Sequence, residues 1–214
     1  MKALAFEGSG AGVSSGHAGS AARIGPNAII QMGAAVTARL GPDAWADMLR
    51  TAGLGHYLAR LPESMVDERE VVALHRAMRS SVSAPLRHEI AYEAGLLTGD
   101  YILANRIPKP AQWILKALPR RLAARALTSA IAKHAWTFAG SGHFRAVSTT
   151  PLVLEIDDNP LCRGEASAVP MCDYYAGTFT RLYRALVDPR MTIEEMACGS
   201  MTGGACRFEA VFRG

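Results

Sequence analysis

Cysteine spacing in the last fifth of the chain limits its possible folds more than any other feature. Three of the four cysteines fall between Cys172 and Cys206, with Glu195 just ahead of the middle one, in the pattern C-x22-E-x2-C-x7-C. Thiolates and a carboxylate are suitable ligands for tetrahedral zinc. Glu195 and Cys198 have opposite parity, so a regular strand would send them to opposite faces. A bulge or strand end near Cys198-Gly199 has to swing them together. Cys172 stands where a helix begins, and a helix N-terminus favours a thiolate. The candidate metal set is therefore Cys172, Glu195, Cys198 and Cys206. The spacing is not that of a standard zinc finger, and buried reduced cysteines are the competing account. Cys162 lies outside the pattern in a loop and reads as a free thiol able to replace one ligand.

The remainder of the chain supplies helices for this staple to hold. Apolar residues three and four apart predict helices over 27–40, ended by Gly41-Pro42, and over 43–51. Further helices are expected over 67–83, which opens on acidic residues, and from Pro85 to about Arg106. IPKP breaks the last of these, and shorter helices follow over 113–118 and 119–137. After Gly140-Ser141-Gly142 the period changes to two, predicting strands over 144–150 and 151–158. A helix over 172–186 then precedes strands over 191–201 and 205–212, joined around Gly203-Gly204. The expected fold class is α+β, with N-terminal helices packed on an antiparallel sheet of about four strands. Residues 1–24 read as a flexible tail and 25–214 as one domain, with a length that can bury a sizeable core.

The formal net charge is +4, carried by 19 Arg and only 4 Lys. Arg recognises carboxylates with a planar, two-pronged fork. No long Lys/Arg run or nucleic-acid module is present, so nucleic acid is not an expected partner. No apolar run reaches spanning length, and Glu7 interrupts the short N-terminal apolar patch, which argues against a secretory signal. The expected location is cytoplasmic. Ala91, Gly95 and Gly99 form a stripe of small residues on one helix, fit for a second backbone or for a flat ligand. Lys116, Arg120, Arg121 and Arg125 make a basic face, either solvated or for docking.

The segment from Cys172 to Cys206 resembles the 4-vinyl-reductase domain family, also found in the sensor modules of phenol-responsive transcription activators. In those sensors a Cys ahead of an aromatic-Gly helix, then E-x2-C-x7-C, holds a structural zinc. The resemblance implies that role for Cys172, Glu195, Cys198 and Cys206. Over the whole chain, IDDNPLCRGE, VPMCDYYAG and the cysteine pattern are similar to a bacteriochlorophyll-biosynthesis family of purple phototrophic bacteria. That likeness implies a fold shared with haem–nitric-oxide sensors and vesicle-tethering subunits, dimerisation through helices, and an apolar pocket.

It also implies a tetrapyrrole ligand, with Mg-chelatase and Mg-protoporphyrin methyltransferase as partners, at or near the photosynthetic membrane. The family's traditional activity is reduction of a vinyl group. However, no G-x-G-x-x-G follows a strand, and no iron–sulfur cysteine set exists. A carrier of a magnesium porphyrin is therefore the expected function, with a vinyl reductase and a small-molecule-sensing regulatory module as the alternatives. For a porphyrin the candidates are Gly95 and Gly99 as a slot, Arg87, Arg120 and Arg121 for propionates, and His88 or His134 as axial ligand to Mg.

Overall fold

The structure, a computed structural model, describes residues 22–212. The expected tail over 1–24 therefore lies mostly outside the described residues. Its end is not a tail, however: Arg23–Ile24 form strand β1, paired antiparallel with β2, Val66–Asp67. Helix α1 (Asn27–Leu40) ends at Gly41, whose positive φ of 86° suits glycine, and Pro42 begins α2 (Pro42–Thr51). Helix α3 (Glu68–Ser81) is capped by the Asp67 carboxylate, which accepts from the Arg69 N–H at 2.9 Å. Helix α4 (Ala84–Asn105) is the longest, and α5 (Lys109–Ala117) and α6 (Arg120–Lys133) follow it.

The C-terminal part builds one sheet. Strands β3 (His143–Thr149), β4 (Leu152–Asp157), β5 (Met191–Ala197) and β6 (Cys206–Phe212) pair antiparallel in the order β3-β4-β6-β5. Helix α7 (Asp173–Leu186) lies between β4 and β5 in sequence. The predicted α+β class and four-stranded sheet are what the chain forms. Two predicted boundaries are wrong. The helix expected over 119–137 stops at Lys133 and continues as a short 3-10 turn, Ala135–Thr137. The strand expected over 191–201 stops at Ala197, where Gly199–Thr202 wind into a single helical turn, α8. The Cys198 carbonyl accepts from the N–H groups of Met201 and Thr202, so the backbone there is satisfied by a turn rather than a ladder.

The centre of the molecule is the crossing of α4 and α7. A Cβ on Gly95 would sit 2.2 Å from the Tyr174 carbonyl oxygen, and one on Gly177 would sit 2.2 Å from the Tyr92 carbonyl oxygen. On Gly99 it would meet the Arg181 side chain at 2.5 Å. The small-residue stripe is thus filled by a second helix backbone. That corrects its alternative reading as a slot for a flat ligand, which took Gly95 and Gly99 as binding residues. Thr178 donates to the Gly95 carbonyl at 3.1 Å, and the Tyr174 hydroxyl meets Thr98 Oγ1 at 3.0 Å. Under the sheet, Phe138, Phe144, Tyr175, Phe179 and Phe208 form an aromatic cluster, mostly edge to face, with centroids 5.5–6.4 Å apart.

His75, on α3, is buried against Tyr174, and its Nε2 has no hydrogen-bond partner among the described residues. Burial, and then the nearby Arg79 charge, push its pKa down to about 3. The unfolded chain binds this proton below about pH 6.5 and the folded chain does not. Stability is therefore complete above pH 6.5 and declines as pH falls toward 3, by up to about 1.4 kcal/mol per unit. A His75→Phe variant, which keeps the ring, should flatten that slope in denaturant titrations at pH 4–6. An unchanged slope would show that other groups account for it.

Candidate metal centre and ligand cleft

Four cysteine sulfurs converge at one end of the sheet. Cys162 comes from the turn after β4, Cys172 stands at the N-cap of α7, Cys198 follows β5 and Cys206 opens β6. All four are buried, and their Sγ atoms lie within 4.8 Å of one another. Individual separations are 3.3 Å for Cys162–Cys206, 3.7 Å for Cys172–Cys206, and 3.8 Å for both Cys172–Cys198 and Cys198–Cys206. Tetrahedral zinc with Zn–S bonds of about 2.3 Å sets its sulfurs about 3.8 Å apart. The cluster already has those dimensions.

The surroundings fit thiolates. Asn159 Nδ2 donates to Cys172 Sγ at 3.3 Å, the Gly199 N–H to Cys206 Sγ at 3.4 Å, and the Ser200 hydroxyl to Cys198 Sγ at 3.1 Å. Outer donors of this kind orient metal ligands. Gly199 has no room for a side chain, because a Cβ would lie 2.8 Å from the Gly204 carbonyl oxygen and 3.4 Å from Cys162 Sγ. Hydrogen bonds from the other three cysteines hold the Cys198 thiol far below its ordinary pKa, while Cys172 and Cys206 are pushed well above theirs. Four thiolates in this space need a cation to ionise together.

This arrangement differs from the predicted set in one member. Cys162, read as a free thiol, completes the sulfur tetrahedron, and Glu195 stands beside it. The β5–β6 register shifts between Glu195 and Ala197, so the required bulge exists slightly earlier than expected and leaves Met196 exposed. Glu195 Oε2 accepts from the Cys172 N–H at 2.6 Å, and Oε1 is buried without a partner among the described residues. Burial, then the neighbouring Cys198, push its pKa up to about 9. The carboxyl orients a ligand-bearing backbone rather than lying among the sulfurs.

Next to this centre, a cleft of about 620 Å³ opens between α3, α4, the 167–171 loop and β5. Met78, Ala91, Met171 and Ile193 give it apolar walls, and Arg79, Arg87, His88 and Arg184 surround them, with Glu195 at the metal end. Arg79 is nearly buried. It binds the Leu161 carbonyl at 3.0 Å and pairs with Glu165, while its Nε and Nη1 have no partner among the described residues. His88 Nδ1 is 2.7 Å from Asp173 Oδ1, a contact that fixes the ring through one nitrogen.

The predicted porphyrin residues therefore separate. Arg87 and His88 line the cleft. Arg120, Arg121 and His134 do not, because α6 packs on the far side: Arg120 pairs with Asp188 at 3.1 Å, Arg121 is exposed, and His134 Nδ1 contacts its own helix at Ala130 O, 2.8 Å away. Sequence reasoning missed Arg79, Arg184 and the loop around Met171, which come together from distant segments. Cys162 was legible in one respect, since four cysteines make a complete tetrahedral set.

Residues 152–212 match the family model of the 4-vinyl-reductase domain. The chain is 48% identical over 195 residues to the bacteriochlorophyll synthase 23 kDa chain of Cereibacter sphaeroides, covering 90% of this chain and 92% of that one. With the protein of the same description from Rhodobacter capsulatus it shares 45% identity over 187 residues, 87% of this chain and 85% of that one. Solved H-NOX structures share the fold. One concerned with heme distortion has a TM-score of 0.53 at 14% identity over 88% of this chain and 95% of its own. The S. oneidensis H-NOX in its Fe(II)NO state has a TM-score of 0.51 at 10% identity over 89% of this chain and 100% of its own. With near-complete coverage and almost half its residues shared, the chain belongs to the family of the bacteriochlorophyll synthase 23 kDa chain and carries a 4-vinyl-reductase domain at its C-terminal end.

Proposed function

We propose that this protein is a non-catalytic accessory factor of bacteriochlorophyll synthesis. It binds a magnesium porphyrin and presents it to Mg-chelatase and Mg-protoporphyrin methyltransferase. It does so as a homodimer in the cytoplasm, at the periphery of the photosynthetic membrane. The observation that carries this reading is the cleft: apolar walls of tetrapyrrole-compatible volume, Arg87 at its edge, and a histidine held by a carboxylate. A ring nitrogen fixed by Asp173 leaves the other in the neutral, ligating form, the usual arrangement behind a histidine metal ligand. Arg87 is the cation for a propionate. The names of the relatives supply the pathway.

Zinc fits the four sulfurs and supplies structure, since four protein thiolates fill a tetrahedron and leave no open position. Cys172 begins α7 and Glu195 joins the site to the cleft, so the centre holds one cleft wall in place. The test is an absorption titration of purified protein with Mg-protoporphyrin. A Soret shift that saturates at micromolar concentration is expected, with a weakening of roughly tenfold in Arg87→Gln. His88→Ala should change the band position. No shift at micromolar concentrations would sink the reading.

A further inference from the structure

The surface of α5 and α6 carries charge of one sign only. From Tyr101 to Leu154 the sequence has no Asp or Glu, against eight Lys and Arg. Arg120 is tied to Asp188, but Lys109, Lys116, Arg121, Arg125 and Lys133 are exposed and have no ion pair among the described residues. Large apolar side chains stand among these cations: Trp113 is 69% exposed, Ile114 62% and Leu122 53%. Their outward direction is fixed from below. Gln112, buried, donates to the carbonyls of Leu103 at 2.6 Å and Ile107 at 2.8 Å, which locks the inner face of α5 to the end of α4. A single occupant that is both anionic and apolar would relieve the exposed hydrophobic area and the like-charge repulsion together.

We propose that this face docks on an anionic lipid surface. Trp113, Ile114 and Leu122 enter the boundary between headgroups and acyl chains, and Lys116, Arg121 and Arg125 meet lipid phosphates. A second copy of the chain is a poor occupant, because a two-fold contact would set the same positive patch against itself. An acidic protein fits less well, since the centre of a protein interface is depleted of charge and here cations alternate with the apolar anchors. Trp next to Lys and Arg, whose alkyl stems can lie in the apolar layer while the charges reach out, is the composition of the bilayer interface. No helix of the described residues is long and apolar enough to cross a membrane, so the contact is peripheral. The inference extends the membrane location proposed above but stands on the α5–α6 surface alone, so the porphyrin reading can fail without it.

The test is flotation of the full chain with vesicles of phosphatidylcholine and with a two-to-one mixture of phosphatidylcholine and phosphatidylglycerol. Recovery is expected only with the mixed vesicles and should fall as salt rises. Trp113 emission should shift to the blue on binding and lose that shift in Trp113→Phe. The triple variant Lys116→Gln/Arg121→Gln/Arg125→Gln should lower partitioning on the order of 100-fold, because each cation near the surface contributes about fivefold. Trp113→Ser/Ile114→Ser should lower it at least about tenfold. All these side chains are exposed, so circular dichroism and melting should stay as in the parent and serve as folding controls. Equal recovery with both vesicles, none with the anionic ones, or a triple variant that partitions like the parent would overturn the proposal. So would a chain that ignores vesicles but is retained by polyglutamate, which would assign the face to an acidic protein.

Discussion

Replacing Cys162 with Ser should strip the metal and destabilise the fold, whereas Glu195→Gln should keep one zinc per chain. The two variants separate the sulfur tetrahedron seen in the structure from the three-cysteine, one-glutamate set suggested by spacing. Structural zinc supplies about 10–16 kcal/mol in small domains, so losing one of four ligands should cost roughly 3–4 kcal/mol. In a chain of this size that lowers the melting temperature by about 10 °C. The effect is large because Cys162, Cys172, Cys198 and Cys206 come from the turn after β4, the start of α7, the end of β5 and the start of β6. One ion therefore ties four segments together. Glu195→Gln keeps an acceptor for the Cys172 N–H, so the expected change is a weakening of zinc affinity by no more than about 10–100-fold. Elemental analysis and melting of both variants decide the matter. Full zinc in Cys162→Ser together with loss in Glu195→Gln would restore the glutamate as ligand.

What could be read in the sequence follows the range over which each feature is decided. Helix α1 was legible to both ends because its apolar period and its Gly41-Pro42 stop are local. The change from helices to a sheet after Gly142 was legible for the same reason, as was α7, misplaced by one residue. The fourth sulfur was not. Cys162 reaches the site through a turn in which Asp158 takes a left-handed φ of 47° and Asn159 Oδ1 accepts from the Leu161 N–H at 3.1 Å. Nothing in the spacing states that the chain doubles back there. Parity required a bulge between Glu195 and Cys198, but not which of the two would end among the sulfurs. Met196 took the bulge, and this left Glu195 against the backbone of Cys172. The cleft was the least legible feature. Its walls come from α3, α4, a loop without periodicity and a sheet edge, so only Arg87 and His88 of its residues were found.

Gly95→Ala should destabilise the protein by about 3 kcal/mol or more, although alanine is the better helix former by about 1 kcal/mol. The added methyl would lie 2.2 Å from the Tyr174 carbonyl oxygen and 2.8 Å from the Thr178 backbone nitrogen. These are backbone atoms of a helix, which cannot step aside as a flexible side chain can. Relief requires α4 and α7 to separate, and that pulls on the Thr178–Gly95 and Tyr174–Thr98 hydrogen bonds. Gly177→Ala meets the same obstacle from the other side, at the Tyr92 carbonyl. Once one methyl has forced the helices apart, the second finds part of its space already made. The double variant should therefore cost less than the sum of the singles. Gly55→Ala, where a Cβ meets nothing within 4 Å, is the control and should be near neutral. The comparison also tests the two meanings of the small-residue stripe. A ligand slot would lose porphyrin affinity on Gly95→Ala while melting stayed put. A helix crossing loses stability first, and because α7 starts at Cys172, zinc affinity falls with it.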